Sequence, residues 1–279
     1  MASEEAGPGL ERGSGWPVVE KGRGRPVVFL HGYPLNHAMW EPQLKALSTD
    51  HRVILFDLPG FGVAQDWPVP NSLSGFVRIV YRTLAPHLGT PAVFVGHSFG
   101  GYLALALFEK HPELFAALVL TDTRSEADSV EARTKRLATA RRLENPAEHL
   151  DAEELTRSLL APATWEAAGP VVGKVRQVVR EATSAAVIGS LRAIAYRGDL
   201  TPVLATVRVP TLVLWGTEDK LIPPSQSQAM LEHLPNAIGA GVPGAGHLPS
   251  LENPQAFSRA IRELLDRLPA YEAPATPPP

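Results

Sequence analysis

The chain has 279 residues, of which 44% are hydrophobic and 20% are charged, so it can supply a packed core and lacks the composition of a disordered protein. Its formal net charge of -3 provides no basic surface for a nucleic acid or an anionic membrane, and neither is expected as a partner. It contains no cysteine, which excludes disulfides, a thiol nucleophile and thiolate metal sites.

The two ends of the chain have distinct compositions. Residues 1–9 have neither a basic start nor an apolar stretch, so a secretory signal is not expected. At the other end, residues 269–279 finish in a proline-rich run, which predicts a disordered tail. No apolar run approaches the roughly 20 residues that a membrane-spanning helix needs, so a cytoplasmic location is expected by elimination.

Short apolar runs predict strands that are buried on both faces of a parallel sheet. The runs are rich in β-branched residues and are continuous rather than alternating. They occupy residues 27–30, 53–56, 92–95, 117–120 and 211–215, and a last apolar strand candidate lies near residues 237–242. Helical patterns lie between them, for example at residues 40–47 and 102–109. This alternation of strand and helix predicts an α/β fold with a parallel sheet.

The alternation stops between about residues 124 and 197, where no comparable apolar run occurs. Valine and alanine residues between positions 171 and 186 recur at helical spacing. We interpret this stretch as a helical insertion between two strands of the sheet. The carboxyl edge of a parallel sheet is where ligands bind, so an insertion of this length is expected to cover that edge.

The strongest local signal is the pattern Gly-X-Ser-X-Gly at residues 96–100, directly after a predicted strand and before an apolar helix. Such a pattern forms a sharp strand-to-helix turn that lifts Ser98 above the edge of the sheet. Glycines at both ends of the pattern let the strand and the helix approach without Cβ clashes. The amino end of the helix favours negative charge near the serine oxygen. The pattern therefore predicts that Ser98 is a nucleophile.

A serine hydroxyl needs a base to take its proton and a third group to hold that base. His247 lies in a glycine-rich loop after the last predicted strand, and Asp219 lies just past the strand at residues 211–215. The chain order Ser98, Asp219, His247, each after a strand at the same edge of the sheet, predicts a catalytic triad. Two other acids compete for the third position. Glu218 would point another way in its turn, and Asp122 follows another strand and could reach His247 from a different side.

Hydrolysis of an acyl group also needs N–H donors for the oxyanion that develops. The backbone N–H of Phe99 is one candidate, because it lies at the start of the helix. The second candidate is the N–H of Tyr33, in the loop after the strand at residues 27–30. His31 and His97 flank the expected site, and we interpret them as hydrogen-bonding residues rather than bases.

These motifs resemble the α/β-hydrolase superfamily, specifically its capped serine hydrolases. The resemblance covers most of residues 26–268 and rests on residues 31–34, 57–62, 96–101, 216–219 with Pro223, and 246–247 with 252–254. It implies an eight-stranded, mostly parallel sheet flanked by helices, with a helical cap inserted after the sixth strand. The expected divisions are a first core part at 1–123, a cap at 124–197, a second core part at 198–268 and the tail at 269–279. Oxyanion donors at Tyr33 and Phe99 are also implied.

The resemblance narrows the chemistry further. Residues 121–128 look like those of 3-oxoadipate enol-lactonase-like and arylesterase-like hydrolases, and residues 31–35 resemble those of cofactor-free haloperoxidases and perhydrolases. Ser98 stands where haloalkane dehalogenases and epoxide hydrolases of this fold carry aspartate, which disfavours both reactions.

The expected protein is a serine esterase or lactonase without metal or cofactor, acting on a small to medium, largely apolar small-molecule substrate. Carbon–carbon bond hydrolysis and perhydrolysis are the alternative activities, and a ligand sensor on a hydrolase scaffold is the alternative without catalysis. The expected pocket walls are Tyr33, Phe99, Trp165, Leu221, Ile222 and Leu248.

Overall fold

Seven strands form a single sheet in residues 18–272, the part of the chain that the computed structural model describes. In chain order the strands are β1 (Val18–Lys21), β2 (Pro26–Leu30), β3 (Arg52–Phe56), β4 (Ala92–His97), β5 (Phe115–Thr121), β6 (Thr211–Gly216) and β7 (Ala237–Val242). Their order across the sheet is β1-β3-β2-β4-β5-β6-β7, in which β1 runs antiparallel to β3 and all other neighbours are parallel. The mostly parallel sheet and its predicted strands β2 to β7 are therefore confirmed.

Strand β1 has no counterpart in the sequence-based prediction. It is a short edge strand, and its last two residues, Glu20 and Lys21, are polar, so it lacks the continuous apolar pattern of a doubly buried strand. The described residues contain seven strands where the resemblance implies eight. Residues 1–17, and residues 273–279 of the predicted disordered tail, lie outside the described part of the chain.

Helices flank the sheet on both faces. They are α1 (Glu41–Leu47), α2 (Leu73–Leu88), α3 (Phe99–Lys110), α4 (Val130–Arg142), α5 (Ala152–Leu159), α6 (Pro162–Glu166), α7 (Pro170–Glu181), α8 (Ser184–Ala195), α9 (Thr201–Leu204), α10 (Pro224–His233), α11 (Pro249–Glu252) and α12 (Pro254–Leu265). Short 3-10 helices cover His37–Trp40, Gly62–Ala64 and Pro112–Leu114. In this described part of the chain, no helix is long and apolar enough to span a bilayer.

Alternate side chains of each central strand enter two separate hydrophobic layers. In β2, Val28 and Leu30 pack in the layer that includes α2 and α3, whereas Val27 and Phe29 pack in the layer that includes α1 and α12. Every residue of β2 is buried. Burial on both faces explains why these strands read as continuous apolar runs in the sequence.

Helices α4 to α8 lie between β5 and β6, where the sequence predicts a helical insertion. In this helical segment α4 packs against α8, and α5 packs against α7. The apolar pattern across residues 171–186 belongs to two helices rather than one. Helix α7 ends at Glu181, and the Thr183 side chain starts α8 by accepting the N–H of Ala186 at 3.1 Å.

The two ends of the helical segment meet at Asp128. Its Oδ1 accepts hydrogen bonds from Arg124 at 2.6 Å and from Arg197 at 2.8 Å, and its Oδ2 accepts one from Arg136 at 2.7 Å. The Arg197 side chain is fully buried and lies 4.1 Å from the ring centroid of Tyr102 on α3. This cluster therefore ties the start and the end of the helical segment to the core.

The sheet opens a crevice between the ends of β2 and β4. These two strands are neighbours, but the chain passes from β2 to β3 on the other side of β2. Connections that leave neighbouring strands in opposite directions create the place where ligands bind in open α/β sheets. Residues 31–34 leave β2 at this point and Ser98 leaves β4. The predicted oxyanion loop and nucleophile are thus at the same crevice.

Candidate active site

Ser98 occupies a sharp turn between β4 and α3. Its φ of 50° and ψ of -112° form a conformation that residues other than glycine rarely adopt. The turn requires both glycines of the pattern: a Cβ at Gly96 would lie 2.5 Å from the carbonyl oxygen of Gly100, and one at Gly100 would lie 2.2 Å from that of Leu30. The Ser98 N–H donates to Thr121 O on β5 at 2.9 Å. The backbone is therefore held in the strained geometry that exposes a serine at a sheet edge.

His247 and Asp219 are in direct contact. His247 Nδ1 lies 2.7 Å from Asp219 Oδ2, and the His247 residue is only 3% exposed. A carboxylate only accepts, so Nδ1 carries the proton, and in the neutral ring Nε2 is left with a free lone pair. The arrangement thus supplies a base whose tautomer is set by an acid.

Asp219 is built to remain ionised. Its Oδ1 accepts the backbone N–H groups of Leu221 at 2.8 Å and Ile222 at 3.0 Å. Burial alone would raise its pKa, but the charge and hydrogen bond of His247 and these two N–H groups hold the pKa of Asp219 below its ordinary value. Of the competing acids, Glu218 is exposed, whereas Asp122 is fully buried.

The residue next to Ser98 contacts the loop that carries His247. His97 Nε2 lies 2.6 Å from the carbonyl oxygen of His247, so this ring nitrogen donates and Nδ1 is unprotonated. The two imidazole centroids are 4.8 Å apart. Burial, followed by the charge of His247, lowers the pKa of His97 to about 3. His97 is therefore neutral at ordinary pH and positions the His247 backbone, as the sequence predicts for a hydrogen-bonding residue.

The loop after β2 packs directly on the Ser98 turn. A Cβ at Gly32 would lie 2.4 Å from His97 Nδ1 and 3.1 Å from Ser98 Cβ, so only glycine permits this approach. Within the described residues, the N–H groups of Tyr33 and Phe99 have no hydrogen-bond partner. The first N–H groups of a helix are free by geometry. The loop after β2 and the start of α3, which meet at Ser98, thus each supply one unpaired N–H donor.

His31 and Asp57 attach this loop to the end of β3. His31 Nε2 accepts the Leu58 N–H at 2.9 Å, so Nδ1 is protonated and donates to Gly32 O at 2.9 Å. Asp57 accepts both the backbone N–H and Nδ1 of His37, each at 2.6 Å. These bonds hold the loop from both ends, which fits His31 as a hydrogen-bonding residue and identifies a role for Asp57 that the sequence pattern does not reveal.

Glu252 is a second positioning group that the sequence does not identify. Its Oε1 accepts the N–H groups of Gly246 at 2.9 Å and Leu248 at 3.2 Å, the residues on both sides of His247. Its Oε2 accepts the N–H of Ala161 from the helical segment at 2.8 Å. Glu252 therefore fixes the His247 loop and attaches the helical segment to it. The sequence signal was the block at residues 252–254, whose spacing from His247 suggests no role by itself.

The expected pocket walls have unequal surroundings. The Phe99 ring is fully buried and makes an edge contact with Phe76 in the core at a centroid distance of 5.2 Å. Leu248 is fully buried, Ile222 is 6% exposed and Leu221 is 44% exposed. The Trp165 ring is half-buried, with the Arg176 guanidinium 5.9 Å from its centroid. Tyr33 packs against the cluster formed by α4 and α8.

Among the described residues, Asp122, Asp219 and His247 also form a group of potential metal ligands, with donor atoms within 4.8 Å of one another. Their oxygens, however, already face N–H and O–H donors: Asp122 accepts from Gly216 N–H and the Thr121 hydroxyl, and Asp219 accepts from two backbone N–H groups. Hydrogen-bond donors aimed at a carboxylate repel a cation. These residues therefore fit a hydrogen-bonded proton-transfer group and do not fit a resident metal.

The chain is similar over almost its whole length to proteins of one family. Residues 25–254 match the model of a family described as having an alpha/beta hydrolase fold. RutD of Variovorax paradoxus, provisionally named a carbamate hydrolase, is 31% identical over 90% of this chain and 96% of its own length. The pimeloyl-[acyl-carrier protein] methyl ester esterase of Chromobacterium violaceum is 28% identical over 89% of this chain and 97% of its own.

A solved structure agrees closely with this fold. A thermophilic esterase from Thermogutta terrifontis, determined with malate bound, is 35% identical and superimposes with a TM-score of 0.85, covering 90% of this chain and 92% of that one.

Proposed function

The chain belongs to the alpha/beta hydrolase fold family, and we propose that it is a serine hydrolase that cleaves carboxylic esters or lactones through an acyl-enzyme. The observation that carries the proposal is the pair of His247 and Asp219, which leaves Nε2 free as a base on a loop that His97 bonds to the strained Ser98 turn. The esterase among the similar structures and the methyl ester esterase among the relatives support ester chemistry.

In the first half of the reaction, Ser98 Oγ attacks the carbonyl carbon while His247 Nε2 takes the hydroxyl proton. The carbonyl oxygen becomes an oxyanion, which accepts hydrogen bonds from the N–H groups of Tyr33 and Phe99. Asp219 stabilises the imidazolium that forms. His247 then gives the proton to the leaving alcohol oxygen, and the acyl group remains on Ser98.

In the second half, a water molecule replaces the alcohol. His247 takes a proton from the water as its oxygen attacks the acyl carbon, and the Ser98 oxygen leaves and recovers that proton. The acid product departs and the resting protonation state returns. Both halves use only the side chains and backbone N–H groups of this chain, together with water.

We also propose that residues 124–197 act as a cap over this site, between core parts at 1–123 and 198–268. The contacts that support a cap are the bonds from the His247 N–H to Leu159 O at 2.9 Å and from Ala161 N–H to Glu252 at 2.8 Å. A cap with these attachments lies against the His247 loop, where it limits the access of bulk water to the reacting groups.

The substrate is expected to be small to medium in size and largely apolar. The helical segment contains a cavity of about 280 Å³, and four of its lining residues, Leu143, Leu150, Ala182 and Val187, belong to the cluster against which Tyr33 packs. We propose that this cavity receives the part of the substrate remote from the ester. The lining also includes the polar residues His149, Arg180 and Ser184, while its apolar residues favour an alkyl or aryl group there.

The test is a substrate panel run on the wild type and on Ser98→Ala. The panel contains nitrophenyl acetate and butyrate, small lactones, an aryl carbamate, a vinylogous diketone and an ester with added hydrogen peroxide. Repeated turnover of esters or lactones that falls by about 10⁴-fold or more in Ser98→Ala is expected. A serine-directed phosphonate should label Ser98 and abolish turnover.

Ser74→Ala is the matched control, because Ser74 is exposed at the start of α2 and should leave turnover unchanged. Turnover that survives in Ser98→Ala would remove Ser98 from the mechanism. Preferential cleavage of the diketone would show that the activity is carbon–carbon bond hydrolysis rather than ester hydrolysis. Cleavage of only one ester per protein molecule would favour a ligand sensor.

A further inference from the structure

Asp122 is a buried carboxyl group that the proposed reaction does not use. It follows β5, is fully buried and has a φ of 47°, a left-handed conformation that is uncommon outside glycine. Its Oδ1 accepts the Gly216 N–H at 2.8 Å, and its Oδ2 accepts the Thr121 hydroxyl at 2.6 Å. Asp122 is thus held firmly, and its carboxyl group reaches from the end of β5 to the end of β6.

Asp122 lies close to another carboxyl group. An oxygen of Asp122 and an oxygen of Asp219 lie within 4.8 Å of each other and of a His247 ring nitrogen. Two carboxyl oxygens can form a hydrogen bond only if one of the groups carries a proton. Two negative charges in one buried site also repel each other strongly, so the pair keeps one proton at neutral pH.

The donors around the two groups decide which one carries this proton. Asp219 accepts two backbone N–H groups and the His247 ring N–H, all of which favour its ionised form. Asp122 has one N–H and one hydroxyl donor in a completely buried position. Burial and then the charge of Asp219 raise the pKa of Asp122 well above its ordinary value. The proton therefore belongs to Asp122.

We propose that Asp122 is a positioning residue whose neutral carboxyl group donates a hydrogen bond to the ionised Asp219 and thereby holds Asp219 against His247. Asp122 also binds the N–H of Gly216, whose carbonyl accepts the Asp219 N–H at 3.2 Å, so it fixes the backbone of the Asp219 turn as well. The ionisable groups around the pair are His247 from the loop before α11 and His97 from β4. The kinetic consequence rests on the proposed serine hydrolase function, whereas the location of the proton does not.

The location of the proton can be measured without any substrate. The unfolded chain loses this proton near a pH of about 3.9, whereas folded Asp122 keeps it to a higher pH. The pH-dependent contribution of Asp122 to stability is therefore complete below that pH and is lost as the pH rises toward the folded pKa. One proton makes the unfolding constant of the wild type rise about tenfold per pH unit relative to Asp122→Asn, which cannot lose it.

Urea unfolding of both proteins from pH 5 to pH 8 tests this slope, with Asp266→Asn as the control because Asp266 is exposed. A constant ratio of unfolding constants over this range would show that folded Asp122 is ionised and would overturn the proposal. If Asp122→Asn does not fold, carbon-13 spectra of the aspartate-labelled wild type serve instead. One carboxyl should keep the chemical shift of a neutral acid at pH 7, and its absence would again overturn the proposal.

The positioning role has its own readout. An amide at position 122 can still donate to Asp219 and accept the Gly216 N–H, so Asp122→Asn should keep kcat/KM within about threefold. Asp122→Leu removes both bonds and should lower kcat/KM by about 10- to 100-fold. Equal losses in the two variants would exclude the donor role. If the wild type shows no turnover, the proposed serine hydrolase function is wrong, but the unfolding experiment still tests where the proton lies.

Discussion

Asp122 and Asp128 lie in the same short segment after β5 and are both buried, yet their surroundings are opposite. Asp122 is fully buried beside a carboxylate, and Asp128 is 6% exposed beside three guanidinium groups. Burial and the charge of Asp219 raise the pKa of Asp122. Burial also acts to raise the pKa of Asp128, but the hydrogen bonds and charges of the arginines, Arg197 first, lower it overall.

The difference shows that neighbours, rather than residue type or depth, decide what a buried aspartate does. A carboxyl group beside an ionised acid keeps its proton and becomes a donor, whereas one beside arginines stays charged and becomes an anchor. Asp122 accordingly lies beside the pair of Asp219 and His247, and Asp128 ties the helical segment to the core. Substitutions around Asp122 should therefore affect the reaction, whereas substitutions around Asp128 should affect stability.

Asp219→Asn should have the largest effect, because it removes the negative charge that both His247 and Asp122 face. The amide favours the wrong tautomer of His247 and no longer stabilises the imidazolium. We expect kcat/KM for a nitrophenyl ester to fall by about 10⁴-fold while the protein stays folded. The neighbouring Glu218 is exposed, so Glu218→Gln is the control and should be unaffected. Retention of more than a tenth of the activity in Asp219→Asn would transfer the acid role to Asp122.

Asp128→Ala should affect stability rather than chemistry. It leaves the buried guanidinium of Arg197 without its carboxylate, a change that costs about 3 kcal/mol of unfolding free energy at pH 7. Because the folded pKa of Asp128 is lowered, its contribution is present above the unfolded value of about 3.9 and is lost as the pH falls through the folded value. The deficit of the variant should therefore shrink in acid, opposite in direction to the effect of Asp122.

Urea unfolding at pH 7 and pH 3 measures this deficit. Arg136→Ala is the matched control, since it removes only a partner that is 28% exposed and should cost about 1 kcal/mol or less. A deficit in Asp128→Ala that is the same at both pH values would show that the charge of Asp128 does not stabilise the fold.

The parts of the molecule that are predictable from sequence depend on local rules. Strands β2 to β6 are buried on both faces, which forces continuous apolar runs. The turn at Ser98 needs glycine at positions 96 and 100, where any Cβ would lie 2.5 Å or less from a backbone oxygen, so its pattern is visible in the sequence. Both features are specified by a few adjacent residues.

The parts that are not predictable depend on contacts between distant residues. Because Asp122 follows a strand, the sequence places it at the correct edge of the sheet. Only the fold shows that Asp122 bonds to Gly216 and Thr121, whereas Nδ1 of His247 is bonded to Asp219. Asp128 and Arg197 are 69 positions apart, and no periodicity connects them. The start of α8 likewise depends on the Thr183 side chain, which the valine pattern does not reveal.

Glu252→Gln should have the smallest effect, because Glu252 faces neither a carboxylate nor a guanidinium among its bonded groups but backbone N–H donors and the Thr164 side chain. Burial raises its pKa, and the N–H groups partly offset that rise. A glutamine amide turns one acceptor into a donor, so either the His247 loop or Ala161 loses its bond. We expect a loss of about 1 kcal/mol, or roughly five- to tenfold in kcat/KM.

The comparison for this variant is Glu263→Gln, because Glu263 is exposed on α12. Kinetics of the two variants that agree within error would show that the His247 loop is positioned without Glu252. A clear loss in Glu252→Gln alone would show that a half-buried carboxyl group, which binds neither an acid nor a cation, acts on the reaction through the backbone on both sides of His247.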